Sequence, residues 1–192
     1  HDNTWRHMPN AGDLDGDGFT DVVHCDYRTV SNYYSSEANV LWGDSSRYST
    51  SGTTSLSSTG SNIVSATGAS SSTGDGYHLF AACGIMPDWN GDGLDEFWAF
   101  FSQSDSSFTG IYVFDGSADW RNGADLDPNS DASYFIVTGA STAPVATFRP
   151  VGDWDGDGLS EVGIAFGSTS AGTSAGNAWM VSSQMGPGLN YS

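Results

Sequence analysis

Apolar residues in this chain come in short runs of strand length, each bounded by glycine, serine or acidic residues. Residues 21–27 (DVVHCDY), 96–101 (EFWAFF) and 161–166 (EVGIAF) are rich in β-branched and aromatic side chains and read as strands. The run at 96–101 is apolar on both faces, so that strand has to be covered from both sides. Further strands are predicted at 5–11, 38–42, 62–66, 77–85, 111–114, 134–137, 146–151 and 177–182. The stretches 47–59, 67–76 and 167–176 are mostly Ser, Thr and Gly, too polar for a core, and read as surface loops or edges.

Directly ahead of the three clearest strands stands one pattern, D-x-[DN]-G-D-G-[FL]-x-[DE]. Its oxygen-bearing side chains fall at positions 1, 3, 5 and 9: Asp13, Asp15, Asp17 and Asp21, then Asp88, Asn90, Asp92 and Glu96, then Asp153, Asp155, Asp157 and Glu161. Alternate acids in a tight loop converge on one point, the arrangement a hard cation such as Ca²⁺ requires. The expected ligands are carboxylates at positions 1, 3 and 5, the backbone carbonyl of Phe19, Leu94 or Leu159 at position 7, and a bidentate carboxylate at position 9. Glycines at positions 4 and 6 let the chain turn back without strain. An EF-hand shares the first half of this pattern but needs a Glu at position 12 and flanking helices; here position 12 is His24, Ala99 and Ile164, and strands follow. One copy alone would read equally well as a solvated Asp/Gly turn. Three copies that keep the acid at position 9, while position 8 runs through Thr20, Asp95 and Ser160, point to metal.

These loops and their flanks resemble the FG-GAP/VCBS repeat, the calcium-binding blade unit of integrin α-chain propellers and of many secreted microbial and fungal proteins. The resemblance continues beyond the loop, where such repeats have a strand ending in a Val-Phe-x-Gly-Ser type sequence. Residues 110–117 (GIYVFDGS) fit closely, 38–45 (ANVLWGDS) fairly and 177–182 (NAWMVS) loosely. The resemblance implies an all-β chain of four-stranded antiparallel propeller-type blades, each holding calcium between its first and second strands, with about three ions in all.

The loops begin at residues 13, 88 and 153, dividing the chain into units 1–74, 75–142 and 143–192. The third unit is expected to lack its outer strand within the chain. Closed propellers use four to eight blades, so three units would leave broad apolar faces. The chain is then a piece of a longer propeller, half of a closed ring formed by two copies, or a subunit of an open assembly such as a filament. The acidic stretch 125–131 lacks the paired glycines and reads as a solvated turn.

Composition adds a location and excludes some partners. The net charge of −18 arises from 23 acids against five arginines with no lysine, a surface that repels nucleic acid and anionic membrane and attracts cations. Eleven of those acids are the proposed loop ligands. No apolar run is long enough to span a membrane, and with residue 1 close to the first predicted strand no signal peptide is expected within this sequence, a secreted chain having its leader already removed. Cys25 and Cys83 are expected to pair in an oxidising compartment, two buried free thiols being the alternative. An extracellular or cell-surface location follows, with glycosylation open at the sequon 190–192 and in the Ser/Thr-rich loops.

No Gly-x-Ser-x-Gly elbow, Cys-x-x-Cys pair or phosphate loop occurs. His1, His7 and His24 invite comparison with a copper-binding histidine brace, but the rest of the chain has the calcium pattern. Acids packed on Ca²⁺ are held ionised, whereas a glycosidase acid must keep a proton. The chain is therefore expected to be a non-enzymatic structural or adhesive module whose partners are copies of itself or further blades. The alternative is a lectin-type propeller module that stacks exposed Trp and Tyr on a glycan.

Overall fold

Eleven strands carry the described residues, in the order β1 (Asn10–Gly12), β2 (Asp21–Val30), β3 (Tyr33–Leu41), β4 (Ser61–Ser70), β5 (Tyr77–Met86), β6 (Glu96–Gln103), β7 (Thr109–Phe114), β8 (Tyr134–Val137), β9 (Val145–Gly152), β10 (Glu161–Phe166) and β11 (Asn177–Val181). The structure, a computed structural model, describes residues 10–30, 33–45, 61–70, 77–103, 109–127, 130–137, 145–166 and 177–182. Residues 47–59, His1, His7 and the 190–192 sequon lie outside them. The protein is all-β: consecutive strands form three open antiparallel sheets, β1-β2-β3-β4, β5-β6-β7-β8 and β9-β10-β11.

The three sheets repeat one register. Asp21 pairs with Gly12, Glu96 with Met86 and Glu161 with Gly152, so each acidic loop connects the first two strands of its sheet. Farther along the second strand, Val23 pairs with Val40, Trp98 with Val113 and Gly163 with Met180. Side chains alternate across each strand, so this register assigns each residue a face.

On β6 that alternation builds two cores. Phe97 and Ala99 point to one side, joining Leu14, Val23, Cys25, Val40 and Trp42 between the first and second sheets. Trp98 and Phe100 point to the other, joining Met86, Trp89, Phe148, Val162 and Ile164 between the second and third. The second sheet is therefore covered on both faces, as the two-sided apolar run at 96–101 requires. Full burial of one such side chain is worth about 1.5–3 kcal/mol.

The third sheet turns the opposite way out. Its face away from the second sheet carries Val151, Met180 and the small residue Gly163, with Val151 and Met180 exposed. A disulfide joins Cys25 of β2 to Cys83 of β5, with Cα atoms 6.2 Å apart, and ties the first sheet to the second.

Two local features depart from the sequence reading. The stretch 67–70, expected in a loop, continues β4, where Tyr33 of β3 pairs with Ser70. A short 3-10 helix, Ala118–Asn122, follows β7, and its Ser117 hydroxyl accepts the Asp119 N–H. It forms because Trp120 turns inward against the first core, which leaves Arg121 beside the first acidic loop. Of the acidic stretch 125–131, Asp125, Asp127 and Asp131 are exposed while Leu126 packs against the first core, and the Asp131 carboxylate accepts the Asp127 N–H at 2.7 Å and the Ser130 hydroxyl at 2.9 Å. Among the described residues no helix is long and apolar enough to cross a membrane.

Candidate metal centres

Each loop is folded by its own carboxylates. The position-1 acid accepts two main-chain N–H groups: Asp13 from Gly16 at 2.8 Å and Gly18 at 2.9 Å, Asp88 from Gly91 and Gly93, Asp153 from Gly156 and Gly158. Asp15, Asn90 and Asp155 each accept the N–H two residues on, and Asp17, Asp92 and Asp157 do the same to Phe19, Leu94 and Leu159. Such Asx turns need left-handed backbone at positions 4 and 6, where φ lies between 75° and 94° in all three loops. Glycine adopts it at no steric cost. The amide of Asn90 also donates to Asp92 and to Asp115, at the end of β7.

The position-9 acid begins the second strand and is buried in every sheet. It receives the N–H of position 2: Leu14 to Asp21 at 2.9 Å, Trp89 to Glu96 at 2.5 Å and Trp154 to Glu161 at 2.5 Å. In the second and third loops this occupies one oxygen only. The other, Oε1 of Glu96 and of Glu161, is buried with no hydrogen-bond partner. A buried carboxylate oxygen left in that state is costly unless it holds a proton or faces a cation. Without a cation, burial pushes the Glu96 carboxyl up to about 8, reinforced by the charges of Asp88, Asp92 and Asp115 and opposed by the Trp89 N–H. One oxygen from each of Asp88, Asp92 and Glu96, and from each of Asp153, Asp155 and Glu161, lies within 4.8 Å of the others in its group. Both groups therefore offer a set of hard oxygen donors that suits a divalent cation.

The first loop differs. Asp13, Asp15 and Asp17 converge in the same way, but Asp21 stands outside the group. Both oxygens of Asp21 are taken by main-chain N–H groups, from Leu14 at 2.9 Å and from Gly43 at 2.7 Å. Burial raises its carboxyl to about 6, with those two hydrogen bonds opposing. Arg121 enters this loop from the 3-10 helix: its Nε donates to Asp15, and one terminal nitrogen donates to Asp17 and, at 2.9 Å, to the Gly43 carbonyl. The guanidinium also lies over the Trp42 ring, 5.5 Å from its centre.

The predicted ligands are thus brought together in three places, with Asp21 and Asp157 outside the converging groups. The position-7 residues Phe19, Leu94 and Leu159 sit at the loop ends with their N–H groups bound to position 5. Sequence reading missed Asp95 and Arg121. Asp95, at the variable position 8, accepts from both Asp13 N–H (2.8 Å) and Asp88 N–H (3.1 Å), and its own N–H donates to the Asp13 carbonyl. Neither role has a local signature, because each partner in the first loop lies far off in sequence. Comparison of the chain with family models, with curated proteins and with solved structures finds no match.

Proposed function

We propose that this chain is an extracellular, calcium-stabilised structural or adhesive module of the FG-GAP/VCBS type, in which each sheet is a propeller-type blade. The module joins copies of itself or further blades, and a filament is one form of that assembly. A graded burial at position 2 of the loops carries the reading. Leu14 is 0 % exposed and Trp89 3 %, each capped by the sheet that follows; Trp154, with no described sheet beyond it, is 76 % exposed. A large aromatic ring left bare where its counterparts are packed is what an unfilled stacking position looks like. Calcium is supported by the buried, unpartnered oxygens of Glu96 and Glu161, and the extracellular setting by the disulfide.

The test is the light-scattering mass of the chain in millimolar calcium, with Trp154→Glu beside it. The reading expects an oligomer or larger species that the Trp154 variant reduces to 20.2 kDa. A wild-type chain that stays monomeric up to high concentration would count against self-assembly and leave further blades as the only partner of this kind.

The same ring supports a second, lectin-type reading, since an exposed indole next to carboxylates can stack on a sugar while the acids take its hydroxyls. Glycan-array binding by a monomer, lost in Trp154→Ala, would favour it. Both readings are non-catalytic.

A further inference from the structure

We infer that Arg121 is the built-in cation of the first loop, so that the chain takes two divalent ions, at the second and third loops, rather than three. The inference rests on the calcium reading above and concerns how that reading is divided among the three loops.

Two independent features of the first loop disagree with a metal. One is the donor at position 9. In the other loops a glutamate hands one oxygen to the position-2 N–H and keeps a buried second oxygen for a ligand. Asp21 is one methylene shorter, and Gly43 N–H takes the oxygen that would have been spare. The first loop has therefore lost the donor that sets the other two apart.

The second feature is the guanidinium. Arg121 is donated by the unit that follows, across 106 residues to Asp15 and 104 to Asp17. It satisfies two of the three converging carboxylates, Asp15 being buried, and it is held in place by the Gly43 carbonyl and the Trp42 ring. A planar fork that bridges two carboxylates offsets part of their charge and occupies the oxygens an ion would use, without depending on a dissociable ligand. Asp13 keeps its turn-forming bonds to Gly16 and Gly18 whichever cation is present. In the second loop the position-3 side chain, Asn90, donates instead to Asp115 of its own sheet, a neighbour that brings a negative charge rather than a positive one. The loops thus sort by their neighbours: a carboxylate beside the second favours a cation from solution, and an arginine on the first excludes it.

The experiment counts Ca²⁺ per chain by titration calorimetry and by native mass spectrometry, on wild type, Arg121→Gln and the double variant Glu96→Leu/Glu161→Leu, which removes both position-9 oxygens. Circular dichroism establishes that each is folded. Wild type is expected to bind two ions, the double variant none, and Arg121→Gln three, the third more weakly because Asp21 offers no spare oxygen. Three ions on wild type, or one remaining on the double variant, would place metal in the first loop and overturn the inference. So would Arg121→Gln staying at two, which would leave Arg121 no part in excluding the ion. No ion on wild type is a different failure, of the calcium reading itself. If Arg121→Gln does not fold, the wild-type and double-variant counts still decide between two sites and three.

Discussion

The Asp95 carboxylate receives the main-chain N–H of Asp13 at 2.8 Å, although eighty-two residues separate them. Its other oxygen takes the N–H of Asp88 at 3.1 Å, so a single side chain holds the starts of two acidic loops on neighbouring sheets. Asp95→Ala leaves two donors without their acceptor and is expected to cost about 1–3 kcal/mol. For a chain of this size that is a fall of roughly 2–4 °C in Tm for each kcal/mol. Asp125→Ala, an exposed acid elsewhere on the surface, serves as the control in the same melts. Equal Tm values for the two variants would show that the bridge carries no stability.

Gly116 sits where three segments converge. A Cβ there would stand 2.6 Å from the Leu14 carbonyl oxygen and against that of Asp95, both main-chain atoms fixed by the loops. Gly18 has a φ of 83° and open space around it, so alanine there meets backbone strain alone, about 1–2 kcal/mol. Urea midpoints should fall further for Gly116→Ala than for Gly18→Ala. The reverse order would mean that the loops yield to the methyl group.

Reduction of the Cys25–Cys83 disulfide opens a loop of 58 residues between the first and second sheets. Chain entropy sets the loss at about 4 kcal/mol. The double variant Cys25→Ala/Cys83→Ala should show a matching drop in Tm relative to the oxidised protein. A melt unaffected by reductant would mean that the two sheets are held by packing alone.

Chelation with EGTA is expected to lower the melting temperature, because ions bound only by the folded state stabilise it by mass action. The size is about 2.7 kcal/mol for each site at a hundredfold excess over its Kd. Glu96→Gln and Glu161→Gln should each remove part of the calcium-dependent increment. A Tm indifferent to EGTA would take metal out of any structural role.

Acidity should act in the opposite direction from the usual carboxylate case when metal is absent. The Glu96 carboxyl is raised from 4.5 to about 8 by burial, so the folded state keeps a proton that the unfolded chain releases. Its contribution is therefore fully present below about pH 4.5 and is lost progressively as pH rises to about 8. Asp21, raised to about 6 by burial, acts in the same sense over a lower window. In EGTA, urea midpoints measured from pH 5 to 8 should fall, and Glu96→Gln should flatten the slope. An unchanged slope in that variant would assign the effect to other groups.

How much of this was legible depended on the reach of each interaction. The alternation in 96–101 was enough to show that β6 is covered twice, and the spacing D-x-[DN]-G-D-G located every acidic loop with its following strand, because both signals are local. Strand ends at Ser70 and Gly152 were extended by pairing with neighbours that local composition does not reveal. Asp95 looked like a drifting position because its partner lies in another sheet, and Arg121 looked like one of five scattered arginines until Trp120 turned the 3-10 helix toward the first loop. The difference between Asp21 and the two glutamates was visible in the sequence, yet its meaning depended on where Gly43 comes to lie.

The cross-ties described above are unequally shared, and that gives the chain a direction under mechanical load. Between the first and second sheets run the disulfide, the Asp95 bridge and the Arg121 fork; between the second and third, the described contacts are apolar packing around Trp98 and Phe148, whose rings are centred 4.6 Å apart. A stretched molecule would shed its last sheet early and at low force, while the first two remained fastened as one covalently linked block.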